Sequence, residues 1–221
     1  MANHISLLAP SIVSSAFEVC VTPPLDVMKT HYQTNTKVIF TFRNLYSGFF
    51  PRALGNIPSR SIFLFFQDIL NSYFYQNKYK FFIVPLGASF AQTIFDTPVE
   101  ILKINKIMNV NNTFLYKGFI PHFTRNMIFL TSVYNFRQYA KNKNNDIITH
   151  SLYGAIGGII GSYISHPFDT IKTLIQSNQK RNNMKLYDYF RGSHIRASMS
   201  MINMFISLYV FEMIKILDIL N

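Results

Sequence analysis

The sequence predicts an all-α membrane protein with six transmembrane helices in three tandem pseudo-threefold repeats. Three observations carry this expectation: the composition is apolar and poor in charge, one short motif recurs three times, and apolar stretches of span length lie between the copies. Of 221 residues, 49% are hydrophobic, 16% aromatic and 14% charged. That is too little charge for the surface of a typical soluble domain of this size. The mean hydropathy of +0.14 is low for a simple bundle of spans, so either the spans are polar on one side or the chain is soluble. Lys and Arg number 21 against 10 Asp and Glu, a net charge of +11, which suits nucleic acid, anionic lipid or a small polyanion.

Metal and redox chemistry are not expected. Cys20 is the single cysteine and cannot form an internal disulfide or a Cys-based zinc site. The histidines, at 4, 31, 122, 150, 166 and 194, lack metal-ligand spacing, so no metal and no cofactor is assigned. The start "MANHISLLAPS" has neither the basic opening nor the cleavage pattern of a secretory or transit segment, so targeting is expected to be internal.

The repeat is read first, because a missed repeat miscasts the whole fold. "PLDVMKTHYQ" at Pro24 recurs as "PVEILKINKI" at Pro98 and "PFDTIKTLIQ" at Pro167, at intervals of 74 and 69 residues. The shared frame is proline, any residue, acid, two residues, lysine: Pro24/Asp26/Lys29, Pro98/Glu100/Lys103 and Pro167/Asp169/Lys172. One copy would be a weak signal, whereas three in register are a strong one. A second element follows each copy, "LYSGFFPR", "LYKGFIPH" and "YFRGSHIR", with its glycine at Gly48, Gly118 and Gly192. A third lies twenty residues beyond each glycine: Asp68, Gln138 and Glu212, with Asn71, Lys141 and Lys215 three residues later.

Between these markers the apolar stretches predict helices over 9–33, 52–75, 80–107, 121–141, 147–177 and 195–219, long enough to span or nearly span a bilayer. Polar runs such as "YQNKYK" and "KNKNND" separate them. The fifth stretch holds Gly154/Gly158 and Gly157/Gly161, the small-xxx-small spacing that lets membrane helices approach closely. Ser11/Ser15 and Gly87/Ala91 are weaker versions in the first and third. The repeats divide the chain into 1–77, 78–145 and 146–221.

These residues resemble the mitochondrial carrier family, whose signature is Pro-x-acid-x-x-base followed by aromatic-base-Gly. The first part matches three times; the second is complete at Tyr116-Lys117-Gly118 and Phe190-Arg191-Gly192 and lacks its base at Ser47. The connections after Lys29, Lys103 and Lys172 are shorter than is usual in the family, and its acid-Gly pair before the aromatic is absent. The resemblance implies a monomeric, multi-pass solute carrier of the mitochondrial inner membrane, in contact with membrane lipid, cardiolipin included.

By the same resemblance Pro24, Pro98 and Pro167 kink the odd-numbered helices. Asp26 then pairs with Lys103, Glu100 with Lys172 and Asp169 with Lys29, closing the matrix side of a central cavity. Gln33 and Gln176 brace these pairs, and Ile107 holds the corresponding place in the second repeat. A cytosolic gate pairs Asp68 with Lys141, Gln138 with Lys215 and Glu212 with Asn71. Only the first of these joins two full charges, so this gate is expected to be the weaker, with the unliganded carrier resting open to the cytosol.

Family substrate contacts correspond here to Gly55/Asn56, Arg125/Asn126 and Met199/Ser200. One helical turn toward the matrix come Arg52, His122 and Arg196, a basic ring whose guanidinium forks suit phosphate or carboxylate. "LGNIPSRSIFLFF", which contains Arg60, resembles the second helix of pyrimidine-nucleotide carriers, so a nucleotide or deoxynucleotide is the expected anionic substrate. The A+T-rich composition and compact length also resemble the carrier encoded by giant DNA viruses, which would place the chain in a host mitochondrion. Six residues before each proline are Glu18, Gln92 and Gly161. An acid at Glu18 would attract an amine, the argument for S-adenosylmethionine or a basic amino acid instead. The motifs give Asp96 no role.

Rival classes are weaker. No nucleophile-base-acid spacing or Gly-x-x-x-x-Gly-Lys loop supports an enzyme. A nucleic-acid binder would use the charge and aromatics, but the aromatics fall inside the apolar stretches. A non-transporting membrane scaffold would not need three intact acids and lysines. Loop charge sets orientation: Lys37, Arg43, Lys106, Lys117, Lys180, Arg181, Lys185 and Arg191 follow odd helices, and chiefly Lys78, Lys80 and Lys143 follow even ones. The richer side faces the matrix.

Overall fold

The structure is a computed structural model that describes residues 13, 16, 20–37, 40–47, 49–74, 76–143, 146–179 and 184–220. It is all-α, with no strand among the described residues. The helices are α1 (Pro23–Thr34), a short α2 (Phe42–Leu45), α3 (Phe49–Tyr73), α4 (Lys80–Met108), α5 (Phe119–Lys143), α6 (Ile147–Gln176) and α7 (Ser193–Leu220), with a 3-10 turn at Leu186–Phe190.

Local chemistry sets these boundaries. Residues 20 and 21 are helical, but Thr22 is not, and α1 starts afresh at Pro23. A proline lacks the N–H for the helical ladder and disfavours helix in the residue before it, so the Pro23-Pro24 pair breaks the first predicted stretch in two. Pro98 and Pro167 instead sit inside α4 and α6. α6 begins at Asp146, whose carboxylate accepts from the Thr149 amide at 3.3 Å and its hydroxyl at 3.1 Å, a side-chain N-cap. α5 and α7 start two residues earlier than the apolar pattern predicts. Gly118 (φ 75°) and Gly192 (φ 79°) take the left-handed turn that launches them, a conformation costly for residues with a Cβ.

Neighbouring helices pack in order, α3 on α4, α4 on α5, α5 on α6 and α6 on α7, and α7 also packs against α1. α1, α4 and α6 touch one another as well, so the three motif-bearing helices meet. The two glycine pairs of α6 serve two different neighbours. A Cβ at Gly157 or Gly161 would meet α5 at Val133, Ser132 and Phe129; one at Gly154 or Gly158 would meet α7 at Leu208 and Met204. At Gly161 the clash is with the Phe129 carbonyl and Ser132 Cβ, both 3.0 Å away. Gly161→Leu is therefore expected to force α5 and α6 apart at a cost of about 1–3 kcal/mol, read as a fall in the thermal unfolding midpoint in detergent. An unchanged midpoint would remove this contact from the packing argument.

Burial runs opposite to the usual pattern. Among the largest fully buried side chains are Lys172, His122, His166, Gln33 and Gln176, while Ile148, Leu152, Ile156, Ile160 and Ile164 form an exposed stripe along α6. Their spacing of four sets each beside the next, in a stripe that winds slowly around the helix. Among the described residues α6 is the one helix long and apolar enough by itself to cross a membrane, where the sequence reading expects six. The other long helices are diluted by polar residues, such as Arg125, Asn126, Arg137 and Gln138 on α5.

Candidate functional site

The six motif charges converge where α1, α4 and α6 meet. Lys29 Nζ lies 2.6 Å from Asp169 Oδ2, Lys172 Nζ 2.5 Å from Glu100 Oε2, and Lys103 Nζ 3.4 Å from Asp26 Oδ2. Each acid thus meets a lysine of another motif copy, in the pairing the family resemblance implies. The cluster is more tangled than three separate pairs, because Lys103 is closer to Glu100 of its own helix, at 2.6 Å, so that Glu100 is shared by two lysines. Asp26, Lys29, Lys103, Asp169 and Lys172 are all buried and Glu100 is half-buried. Desolvation offsets much of the attraction in such pairs, whereas loss of one partner strands the other at about 3–5 kcal/mol. The arrangement is therefore stable while complete and sensitive to the loss of any one contact.

The two glutamines play unequal parts. Gln33 donates to Asp169 Oδ2 at 2.7 Å and accepts from Thr173 Oγ1 at 2.9 Å, so it braces the Lys29–Asp169 pair. Gln176 donates to the Lys117 carbonyl at 3.2 Å, and its own carbonyl accepts from Asn112 at 2.5 Å. It ties α6 to the 109–118 connection rather than to an ion pair. With no helix in that connection, side chains supply its order: Asn105 and Asn112 bond each other, and Lys117 reaches both Asn112 and Asn178.

A cavity opens beside the cluster. Its wall includes Asp26, Lys29, Glu100, Lys103, Arg125, Asn126, Arg196, Ser200, Gln92, Asp96 and Phe129. Arg125 is half-buried, its Nε donating to Asn126 Oδ1 at 3.0 Å, while Asn126 Nδ2 donates to Thr93 Oγ1 at 3.0 Å. Arg196 is buried; its Nη2 donates to Ser165 Oγ at 2.8 Å. Both guanidinium groups approach Asp169 to 3.7 Å. Two predicted contacts stand elsewhere. His122 is wholly buried behind the wall, its Nδ1 3.0 Å from Thr97 Oγ1, because its ring faces α4. Gly55 is buried against Val99, which a Cβ there would strike, so it acts as a close-packing point. Gln92 donates to Asp96 Oδ2 at 2.9 Å, which places Asp96 on the cavity wall, one helical turn from Glu100.

On the opposite side Asn71 accepts from the Tyr134 hydroxyl at 2.6 Å, joining α3 to α5 through a tyrosine that the repeat pattern does not single out. Gln138 and Lys141 stand on the last turns of α5. Glu18 lies outside the described residues, as do the side chains of Arg52, Asn56, Arg60, Asp68, Glu212 and Lys215.

A fourth repeat element escapes the sequence reading. Asn35, Asn109 and Asn178 each stand six residues after a motif lysine, and all three take left-handed φ values of 55°, 52° and 57°. Asparagine tolerates that conformation at helix C-termini; Asn35 and Asn109 are the C-caps of α1 and α4, and Asn178 stands one residue beyond Ser177, the C-cap of α6. The equal spacing from Lys29, Lys103 and Lys172 is the signal that could have found them.

Residues 143–217 match the family model described as mitochondrial carrier protein. The mitochondrial 2-oxodicarboxylate carrier of Rattus norvegicus is 25% identical over 80% of this chain and 79% of its own length. That of Homo sapiens is 26% identical over 73% of this chain and 71% of its own length. The mitochondrial aspartate-glutamate transporter AGC1 of Saccharomyces cerevisiae is 24% identical over 81% of this chain, which spans 26% of that protein. With three copies of the proline-acid-lysine motif meeting in one cluster, the chain is similar to mitochondrial carriers, in its last third by the family model and over most of its length by these relatives.

Proposed function

We propose that this chain is a six-span carrier of the mitochondrial inner membrane, built from repeats 1–77, 78–145 and 146–221, that exchanges a small dianion by alternating access. The observation that carries the reading is the convergence of Arg125 and Arg196 on one cavity beside the ion-pair cluster. Asp26, Lys29, Glu100, Lys103, Asp169 and Lys172 form its matrix gate, with Gln33 as brace, and the paired cluster corresponds to a carrier closed toward the matrix. The exposed isoleucine stripe of α6 and the buried charges support a lipid-facing exterior around a polar centre. The proposed order of events is substrate binding at Arg125, Arg196 and Asn126, exchange of gate contacts, and closure of the cytosolic side through Asp68, Asn71, Gln138, Lys141, Glu212 and Lys215. A ligand drives this only by binding the occluded state better than either open one.

Dicarboxylates are favoured over nucleotides on two grounds. The named substrates of the relatives are 2-oxodicarboxylates and aspartate-glutamate. Two guanidinium forks match two carboxylates, whereas Phe129 is the one aromatic among the described residues of the wall, a thin platform for a base. A nucleotide remains the second reading, carried by that ring and by the "LGNIPSRSIFLFF" segment.

The test is uptake into proteoliposomes with and without internal counter-substrate, comparing labelled 2-oxoglutarate, glutamate, a nucleotide panel and S-adenosylmethionine. Trans-stimulated 2-oxoglutarate uptake is expected, with Arg125→Ala raising KM at least about tenfold for the loss of one charge-assisted contact. Selective nucleotide uptake would transfer the assignment to the second reading. A KM unchanged by Arg125→Ala would take that residue off the substrate path.

A further inference from the structure

We infer that Asp169 is the resident counter-ion of the substrate site, so that an incoming anion binds by taking Arg125 and Arg196 away from it. This rests on the reading above that an anion occupies the cavity.

Asp169 is fully buried, and four cations lie within 4 Å of it: Lys29 at 2.6 Å, Arg125 and Arg196 at 3.7 Å each, and Lys172 at 3.9 Å. They do not hold it alike. Oδ2 is hydrogen-bonded, since Lys29 lies at 2.6 Å and the Gln33 amide donates at 2.7 Å. Among the described residues Oδ1 accepts no hydrogen bond, and Arg196 Nη1 donates none although buried. At 3.7 Å both arginines are within ion-pair range and beyond hydrogen-bond range. The attraction is therefore Coulombic, with hydrogen-bonding capacity unused on both sides.

An incoming carboxylate can supply what Asp169 does not. Offered from the cavity, where both arginines line the wall, it can accept short, charge-assisted bonds in the fork geometry of a guanidinium. Arg125 stands on α5, Arg196 on α7, Asp169 on α6 and Lys29 on α1. Binding would thus move the ionic contacts of Arg125 and Arg196 from Asp169 to the substrate, while Asp169 keeps Lys29 and Gln33. The gate acid is in this sense a built-in competitor of the substrate. Glu100, equally part of the gate, meets lysines instead.

The competition gives Asp169 a signature that a purely gating acid lacks. The apparent Kd of 2-oxoglutarate, read from its stabilisation of the purified full-length carrier against thermal unfolding in detergent, is compared in wild type, Asp169→Asn, Asp169→Glu and Glu100→Gln. Asp169→Asn should bind 2-oxoglutarate about tenfold more tightly than Glu100→Gln, equivalent to roughly 1.4 kcal/mol, while both lose exchange. Asp169→Glu, which keeps the charge on a longer arm, should bind more weakly than wild type and carries the test if the asparagine variant does not fold. Equal affinities in Asp169→Asn and Glu100→Gln, or tighter binding by Asp169→Glu, overturn the inference and leave the anion reading standing. A wild type that shows no stabilisation and no uptake with 2-oxoglutarate overturns the dicarboxylate reading and the inference with it.

Discussion

A Lys172→Ala carrier should exchange substrate at least about a hundredfold more slowly than wild type in proteoliposomes. Lys172 is the most deeply buried of the three motif lysines, 2.5 Å from Glu100 and 3.9 Å from Asp169. Its removal leaves Glu100 with Lys103 alone and strips one cation from Asp169, both inside a cluster with little water. Loss of one partner of a buried pair costs about 3–5 kcal/mol, which is roughly 100-fold to 1,000-fold or more in the population of the closed cluster. In the proposed alternating-access cycle the cluster closes once per turnover, so the penalty is expected on turnover rather than on first binding. The double variant Lys172→Ala/Glu100→Ala separates this from misfolding. Deleting both partners removes the under-paired acid while Lys103 keeps Asp26, so it should recover part of the thermal stability lost in the single variant without recovering exchange. A Lys172→Ala carrier that exchanges at the wild-type rate would detach the cluster from gating.

Which parts of this site are legible in the sequence follows from how each is specified. The proline-acid-lysine triplets are local: spacing three times repeated places each acid and lysine on one helix end, and symmetry then leaves few ways for the copies to meet. Helix extents are similarly local, because apolar runs and polar breaks mark them to within three residues from the second onward. The glycines of α6 read as a close-packing motif, though not that Gly157 and Gly161 serve α5 while Gly154 and Gly158 serve α7, which depends on rotation about the helix axis. The approach of Arg125 and Arg196 to Asp169 is legible only in three dimensions, since it joins three helices whose register no repeat specifies. Gln176 shows the limit of symmetry. It shares its motif position with Gln33, yet Asn112 and the Lys117 carbonyl of the adjoining connection draw it away from the ion pairs.

Arg196→Ala is expected to raise KM for the transported anion about a hundredfold, and Arg196→Lys to recover only a small part of that loss. Two roles compete for this residue. As a basic side chain early in α7 it could mark the matrix end of a span, a task any cation performs. Its surroundings argue otherwise: it is 3% exposed, anchored by Ser165 at 2.8 Å, on the cavity wall, and its Nη1 is buried without a hydrogen-bond acceptor among the described residues. A span marker would reach outward to phosphate headgroups, and this group is turned inward. The anchor also explains why lysine is a poor substitute. A guanidinium can hold Ser165 with one nitrogen and present another to substrate, whereas an ammonium is a point charge that lacks the planar fork. Loss of a buried, charge-assisted contact is worth about 1.5–3 kcal/mol, or roughly 10-fold to 150-fold in KM, and the low exposure places Arg196 at the upper end. Initial rates over a range of external anion concentrations separate KM from maximal rate. If Arg196→Lys matches wild type in both, the residue is a charge marker and the substrate site contracts to Arg125 and Asn126.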